Sequence, residues 1–428
     1  MKNELGKAVS LAHSPRMLHE KFATPFVTRA FIVAVVAVTL AWAARHGGLL
    51  PQLELTDFNV LYIAGQMVWR GDIEDAYHLP MLLQVMRELT GREAFLPWVY
   101  PPPFNLVMAL VAPLPIGLAF LIFIGTTLIA FLLVLRRISG TLFPAVMLAL
   151  FPSLVLNIAC GQNGFLTGTL IGLTCLGLLK QRGSAGLPLG LMVIKPHLAV
   201  GLAAGALMMR RWTCLAAAVG TTLLASGIAT LVLGPTIWSA FLRGANEASA
   251  NLAAGHYPLH RMISVYAWLR SSGVPATLAL LAQSAVAVTA LGFVLFAVRK
   301  RLPQRQIIGI AVMAGLLMSP YAYDYDLPIY GIGLALLLPD LLQRARRHEQ
   351  ALLFGLGWGS SAYGFIIQTL NGGVAGWHPP SPISLSLAGP MLIALLALIW
   401  IILRREPARA IAGVPSPQTL ASTPVQTA

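Results

Sequence analysis

Residues 116–135 read IGLAFLIFIGTTLIAFLLVL, twenty positions without a charge, closed by Arg136-Arg137. A helix crossing a bilayer needs about 20 apolar residues, and this stretch supplies them in one run. The rest of the chain is of the same kind. Of its 428 residues 57% are hydrophobic and only 10% charged, with a mean hydropathy of +0.76. Soluble domains carry roughly 25% charged residues, so the chain reads as an integral, all-α polytopic membrane protein. Working outward from 116–135, about twelve spans are expected. They fall near 26–46, 100–113, 116–135, 141–158, 163–180, 186–208, 212–233, 276–298, 306–322, 326–343, 351–369 and 383–403.

The formal net charge of +14 would suggest nucleic acid in a soluble protein. Here the cations sit in short runs beside apolar segments, as the positive-inside rule requires, and nucleic-acid binding is excluded as a reading. From residue 186 onward, twelve spans put Arg210-Arg211, Arg299-Lys300-Arg301, Arg344 to Arg347 and Arg404-Arg405 on the side of the N-terminal tail. Arg136-Arg137 and Lys180/Arg182 then land on the opposite side, against the rule. A broken or re-entrant helix near 100–115 or 158–165 would change that parity. Residues 1–25 form a basic cytoplasmic tail, 26–405 the membrane domain, and 406–428, rich in Pro, Ser, Thr and Gln, a disordered cytoplasmic tail. Ala41-Trp42-Ala43 faintly resembles a signal-peptidase site, but a retained first helix is the preferred reading. Cys160, Cys175 and Cys214 stand singly in apolar stretches, as small buried hydrophobes do.

Two large external loops follow from the map, 49–99 and 234–275. The first concentrates carboxylates: Glu54, Asp57, Asp72, Glu74, Asp75, Glu88 and Glu93 are seven of fifteen in the chain. Two amphipathic helices are expected in it. One is capped at Thr56 or Asp57, with Phe58, Leu61, Tyr62 and Gly65 on one face; the other opens at Pro80 and ends at Gly91. No internal repeat relates the two halves, which weakens an inverted-repeat transporter.

Asp57 leads the candidate residues. A carboxylate above an apolar cavity can serve as general base toward an incoming hydroxyl; equally, Asp at a helix start can be only an N-cap. Lys195, mid-segment with His197 close by, is an intramembrane charge suited to a lipid-linked phosphate, or a lysine snorkelling to the interface. His256, His260 and Arg261 form a second cationic cluster, for substrate contact or surface decoration. Gln162 and Asn163 suit sugar hydroxyls or a helix break. Tyr323, Asp324 and Asp326, with Tyr321 and Tyr325, suit a carbohydrate or head group, although Tyr also populates interfacial belts. Asp72, Glu74 and Asp75 read as a solvated turn. No zincin, Walker, nucleophile-elbow or Cys/His metal pattern is present.

These blocks resemble glycosyltransferase family 87, which includes polyprenyl-phosphate-mannose-dependent α-mannosyltransferases. The resemblance runs over roughly residues 25–345. It is carried by Asp57-Phe58-Asn59-Val60-Leu61-Tyr62 with Gly71 and Tyr77; by Tyr100-Pro101-Pro102 with Ala112 to Pro115; by Gly161-Gln162-Asn163; by Ile194-Lys195-Pro196; and by Arg210-Arg211-Trp212. It implies a GT-C fold in the plasma (inner) membrane with both termini cytoplasmic and the site facing outward. The implied reaction is an inverting transfer of a hexose, mannose by family default, from a polyprenyl-phosphate-linked donor to a glycan or glycolipid acceptor. No cofactor or metal is implied. Asp57 falls on the family's catalytic aspartate; Lys195, His260 and Arg261 are candidates for the phosphate, with Tyr62 and Tyr100 as further substrate contacts. There is one departure: some mannosyltransferases of the family carry a histidine pair soon after the Ser-Pro that here is Ser319-Pro320. A lipid or small-solute transporter remains the alternative, and a non-catalytic scaffold a third reading.

Overall fold

The computed structural model describes residues 25–50, 55–370 and 385–406. The basic tail, Glu54 and the C-terminal tail beyond 406 lie outside the described residues. Among those described the protein is helical, with only an isolated bridge between Met262 and Tyr323. Four helical stretches are long and apolar enough to cross a membrane: Phe26–His46, Ile116–Cys160, Trp212–Leu233 and Ala276–Arg299; Gly164–Leu179, Gly183–Ile194 and Ala388–Leu403 are shorter apolar helices.

In chain order, α1 is Pro25–His46 and the first loop holds α2 (Asp57–Arg70) and α3 (Leu79–Thr90). The short α4 (Pro102–Ala109) precedes α5 (Ile116–Ser139), α6 (Phe143–Cys160) and α7 (Gly164–Leu179). Then come α8 (Gly186–Leu191), α9 (Val200–Met208) and α10 (Trp212–Leu233). The second loop carries α11 (Thr236–Ala254) and α12 (Val265–Ser271). It is followed by α13 (Ala276–Arg299), α14 (Gln304–Leu316), α15 (Pro328–Arg344), α16 (Arg347–Leu370) and α17 (Ala388–Leu403).

Both first-loop helices form where sequence spacing put them. α2 buries Phe58, Leu61 and Gly65, and α3 ends on Gly91 in the left-handed conformation with Leu82 and Met86 inside. Rather than lying as isolated surface helices, they are docked: Trp69 donates to the Ala109 carbonyl at 2.8 Å, and Gly65 abuts Met108 and Ala112.

Two of the twelve expected spans are not continuous helices. α4 has eight residues, about 12 Å of helix against a hydrocarbon core of about 30 Å. Its entrance and the start of α5 lie in one layer: Tyr100 bonds Gln162, while Phe120 packs on Phe58 and beside Gly161. The stretch 186–208 is broken in the middle. α8 gives way to single 3₁₀ turns at Met192–Ile194 and Pro196–Leu198, and α9 runs back. The proof of return is packing. Gly183 lies on Thr213, Gly186 on Cys214 and Gly190 on Ala218, so α8 runs parallel to the start of α10. Gly201 and Gly205 lie on Ala311 of α14, and Arg211 Nη1 donates to Gln181 Oε1 at 3.1 Å. The segment is a hairpin whose two feet are side by side, with Lys195 at its tip.

The physical reason is legible in retrospect. Each arm carries glycines four apart, Gly186/Gly190 and Gly201/Gly205, which let backbones approach closely. A proline after Lys195 stops the first arm. Without these two as crossings the charge anomaly vanishes. Gly168 packs on Phe131 and Gly172 on Val134 and Ile138, so α5 and α7 run in one direction side by side toward the same face. Gln304 Nε2 donates to the Leu178 carbonyl, and Arg344 Nε to that of Arg405. Arg136-Arg137, Lys180/Arg182, Arg210-Arg211, Arg299 to Arg305, Arg344 and Arg405 therefore share one face. Asp340 and Glu349 are embedded in it, paired with Arg305, Arg344 and Arg405.

Candidate active site

At the other face, the end of α6, the hairpin tip, the two loops and the turn between α14 and α15 converge. The chain after Cys160 must reverse sharply. Gly161 adopts φ +68°, and a side chain there would strike Phe58; that frees Gln162 and Asn163 to face the site. Thr56 caps α2: its N–H donates to Asn59 Oδ1 at 2.9 Å and its carbonyl accepts the Asn59 N–H. Asp57 is thus relieved of the capping role that its position offered, and its carboxylate turns to the cavity.

Two cations meet it there, each held by a buried carboxylate of one 3₁₀ turn, Asp324–Asp326. Arg261 donates through Nε to Asp324 Oδ2 at 3.2 Å and through Nη2 to Oδ1 at 2.9 Å; Nη2 also meets Cys160 Sγ at 3.0 Å. Its remaining nitrogen, Nη1, stands 3.9 Å from Asp57 Oδ2. Lys195 Nζ donates to Asp326 Oδ1 at 2.6 Å and reaches Asn163 Oδ1 at 3.5 Å. Asp326 Oδ2 accepts the Tyr323 N–H at 3.1 Å. Between the cations lies Tyr325, its ring 4.7 Å from Lys195 Nζ and 5.6 Å from the Arg261 guanidinium, with Tyr323 stacked on it at 5.0 Å. Tyr100 donates its hydroxyl to Gln162 Oε1 at 2.8 Å.

These groups border a cavity of about 350 Å³. Asp57, Tyr100, Gln162, Lys195, His197 and Arg261 line it, with Tyr323 and Tyr325 on one wall and Phe241 and Leu252 of α11 on another. Burial pushes the Asp57 carboxyl above the ordinary carboxylate range, opposed by Arg261, a hydrogen bond from Gln162 and Lys195. With all groups ionised, three carboxylates (Asp57, Asp324, Asp326) face two cations, a net charge of −1. A guanidinium has five N–H donors and an ammonium three. Asp324, Cys160, Asp326 and Asn163 do not exhaust them, so Nη1 and one Nζ hydrogen remain for an anion.

The sequence candidates divide accordingly. Asp57, Tyr100, Gln162, Lys195, His197, Arg261 and Tyr323 are brought together at the cavity. Asn163, Asp324 and Asp326 lie fully buried behind it and orient the cations. Three candidates are elsewhere. Tyr62 donates its hydroxyl to the Leu114 carbonyl and braces α2 against the turn before α5. His256 is exposed, bonded to Asn251. His260 is outside the lining, and burial together with Arg261 lowers its pKa to about 4, which leaves it neutral. Alternation along 256–261 explains the split: one 3₁₀ turn at Leu259–Arg261 sends Arg261 inward and its neighbour away. Trp98 and Tyr257 line the cavity without having been singled out as site residues, and Tyr325, read with Tyr323 as a carbohydrate or head-group contact, lines it too. Tyr325 had a signal, since it sits between the two aspartates; Trp98 had only its place two residues before Tyr100. Of the acidic loop residues, Glu74 docks by accepting from Thr236, whereas Glu88 and Glu93 pair locally with Gln84 and Arg87; His78 of the same loop meets Glu247 of α11 at 3.3 Å.

A helical membrane protein with a carboxylate and two cations around one cavity is the setting in which the family comparison falls. The model of glycosyltransferase family 87 matches residues 98–320, half of the chain, and the protein belongs to that family: it is a membrane glycosyltransferase. The match takes in Tyr100, Gln162, Lys195 and Arg261; Asp57 and Asp324–Asp326 lie outside it and join those residues through the tertiary contacts above. No curated protein and no solved structure matches the chain.

Proposed function

We propose that the protein transfers a hexose, mannose by family default, from a polyprenyl-phosphate-linked donor to an extracytoplasmic glycan or glycolipid acceptor by a single inverting displacement. The observation that carries this reading is the Asp57 carboxylate. It is released from helix capping, raised in basicity by burial, and set 3.9 Å from a guanidinium nitrogen that its own partners leave free.

Asp57 removes the proton of the acceptor hydroxyl as that oxygen attacks the anomeric carbon. The bond from that carbon to the phosphate oxygen breaks, and the electron pair leaves with polyprenyl phosphate. Arg261 Nη1 and Lys195 Nζ receive the extra negative charge, where preorganised donors count most; the leaving phosphate then needs no general acid. The Tyr323 and Tyr325 rings, with Tyr100, offer flat apolar faces for a sugar. The architecture we infer is GT-C-like, with ten crossings (α1, α5, α6, α7, α10 and α13 to α17) and two re-entrant segments, α4 and the Lys195 hairpin. The basic face is cytoplasmic by the positive-inside rule, which puts the cavity on the exterior side of the plasma membrane.

The test is release of polyprenyl phosphate from a panel of lipid-linked hexoses by purified wild type and Asp57→Asn, with membrane-lipid extract as acceptor. Turnover by wild type alone supports donor class and base together. Equal turnover by the variant removes Asp57 from the mechanism, and folded protein inert toward every donor favours a transporter.

A further inference from the structure

The basic face is not uniform. Arg305 and Arg344 share Asp340 at 2.6 and 3.1 Å, and Arg405 has Glu349 at 2.7 Å. At the feet of the re-entrant hairpin the balance is different. The turn after α7 holds Lys180 and Arg182, the turn before α10 holds Arg210 and Arg211, and none of the four has a carboxylate partner among the described residues. The two turns are locked side by side by the Arg211–Gln181 hydrogen bond at 3.1 Å and by the close contact of Gly183 with Thr213. Gln181 and Arg210 sit at φ +54° and +56°, a conformation that non-glycine residues adopt at a cost. The two basic turns are thus held side by side. Moreover Arg211 Nε is buried and makes no hydrogen bond, a donor without an acceptor. Beside the cations are exposed apolar side chains: Leu187 at 52%, Leu207 at 50% and Trp212 at 60%.

We propose that this notch binds an anionic phospholipid. Its headgroup phosphate sits on Arg182, Arg210 and Arg211, and its acyl chain lies along Leu187, Leu207 and Trp212. The adjoining apolar wall selects a lipid over a free anion, since a soluble phosphate would gain nothing from it. Neutralising the feet pins both arms of the hairpin, α8 and α9, and so steadies Lys195 at the tip.

The experiment is native mass spectrometry of the full chain released from phosphatidylcholine micelles, titrated with phosphatidylglycerol. Selective retention of phosphatidylglycerol is expected. Removing the cations should weaken it about five-fold each, as expected for a basic side chain at an anionic membrane surface. Arg182→Gln/Arg210→Gln/Arg211→Gln should lose retention, while Arg136→Gln/Arg137→Gln, on the same face at the end of α5, keeps it. Arg182→Gln alone, an exposed side chain, gives a loss of the same sign should the triple variant not fold. Equal retention of phosphatidylcholine, equal loss in the Arg136/Arg137 variant, or full displacement by inorganic phosphate would each overturn the proposal.

Discussion

Asp57 is a residue whose neighbours decide its chemistry. Its burial costs stability, because a carboxyl held above its unfolded pKa binds its proton more tightly in the native state. The native protein is therefore penalised above the unfolded pKa, and the penalty fades as pH falls through the folded one. Asp57→Asn should lose transfer by at least about 100-fold, the lower end of general-base contributions. It should be no less stable than wild type at pH 7, and the stability difference should shrink toward pH 4 in thermal unfolding scans. The wild-type rate should fall on the acid side at a pH above the ordinary carboxylate range. Lys195 and Asp326 form a buried pair at 2.6 Å. Breaking it from one side costs about 3–5 kcal/mol, so Lys195→Met alone should unfold early in denaturant. Lys195→Met/Asp326→Asn should recover most of that stability, since Asn still accepts the Tyr323 N–H, and yet remain inactive. Full activity in the double variant would remove Lys195 from phosphate binding.

Among the elements, the re-entrant hairpin is the one that carries function and hangs on backbone contact. A Cβ at Gly190 would collide with the Ala218 carbonyl, whereas one at Gly220, on the same α10, meets nothing within 4 Å. Gly190→Ala should cost about 1–3 kcal/mol, as overpacking does, and should lower turnover by shifting the tip. Gly220→Ala should be neutral or slightly stabilising, by up to about 1 kcal/mol from the better helix former. If the two variants share one melting temperature and one rate, α8 is not seated on α10 as described. The same elements set how much was legible. Caps and the 3.6-residue pattern marked the start of α2 and both ends of α3, because amphipathicity and the Gly91 cap are local. The hairpin was hidden because an apolar run reads alike whether it crosses or turns back; Lys195-Pro196 and the paired glycines were the signals that mattered.

For the whole molecule, the two re-entrant segments make a distinct topological statement. Single cysteines replacing Arg137, Arg182 and Arg210 in a cysteine-free background should all react with a membrane-impermeant maleimide from one side of sealed vesicles. A continuous twelve-span path would put positions 137 and 182 opposite 210, so labelling from two sides would refute the fold's parity. The same arrangement draws the groups around the cavity from five places in the chain. Asp57, Gln162, Lys195, Arg261 and Asp324–Asp326 become neighbours only because both short segments turn back toward one layer.

What the sequence determined alone is the medium and the parts: composition fixed a membrane-embedded helical chain, periodicity marked its first-loop helices, and the rarity of charge made Asp57 and Lys195 conspicuous. These are properties of single segments, set by transfer of side chains from water. The tertiary structure alone decided which apolar runs cross, which cation faces which carboxylate, and that Tyr62, His256 and His260 stand apart from the cavity. Those depend on pairings between residues far apart in the chain: Lys195 and Asp326, for one, are 131 positions apart. A buried ion pair forms only where packing brings its partners within about 3 Å, and spacing along one chain does not record that distance.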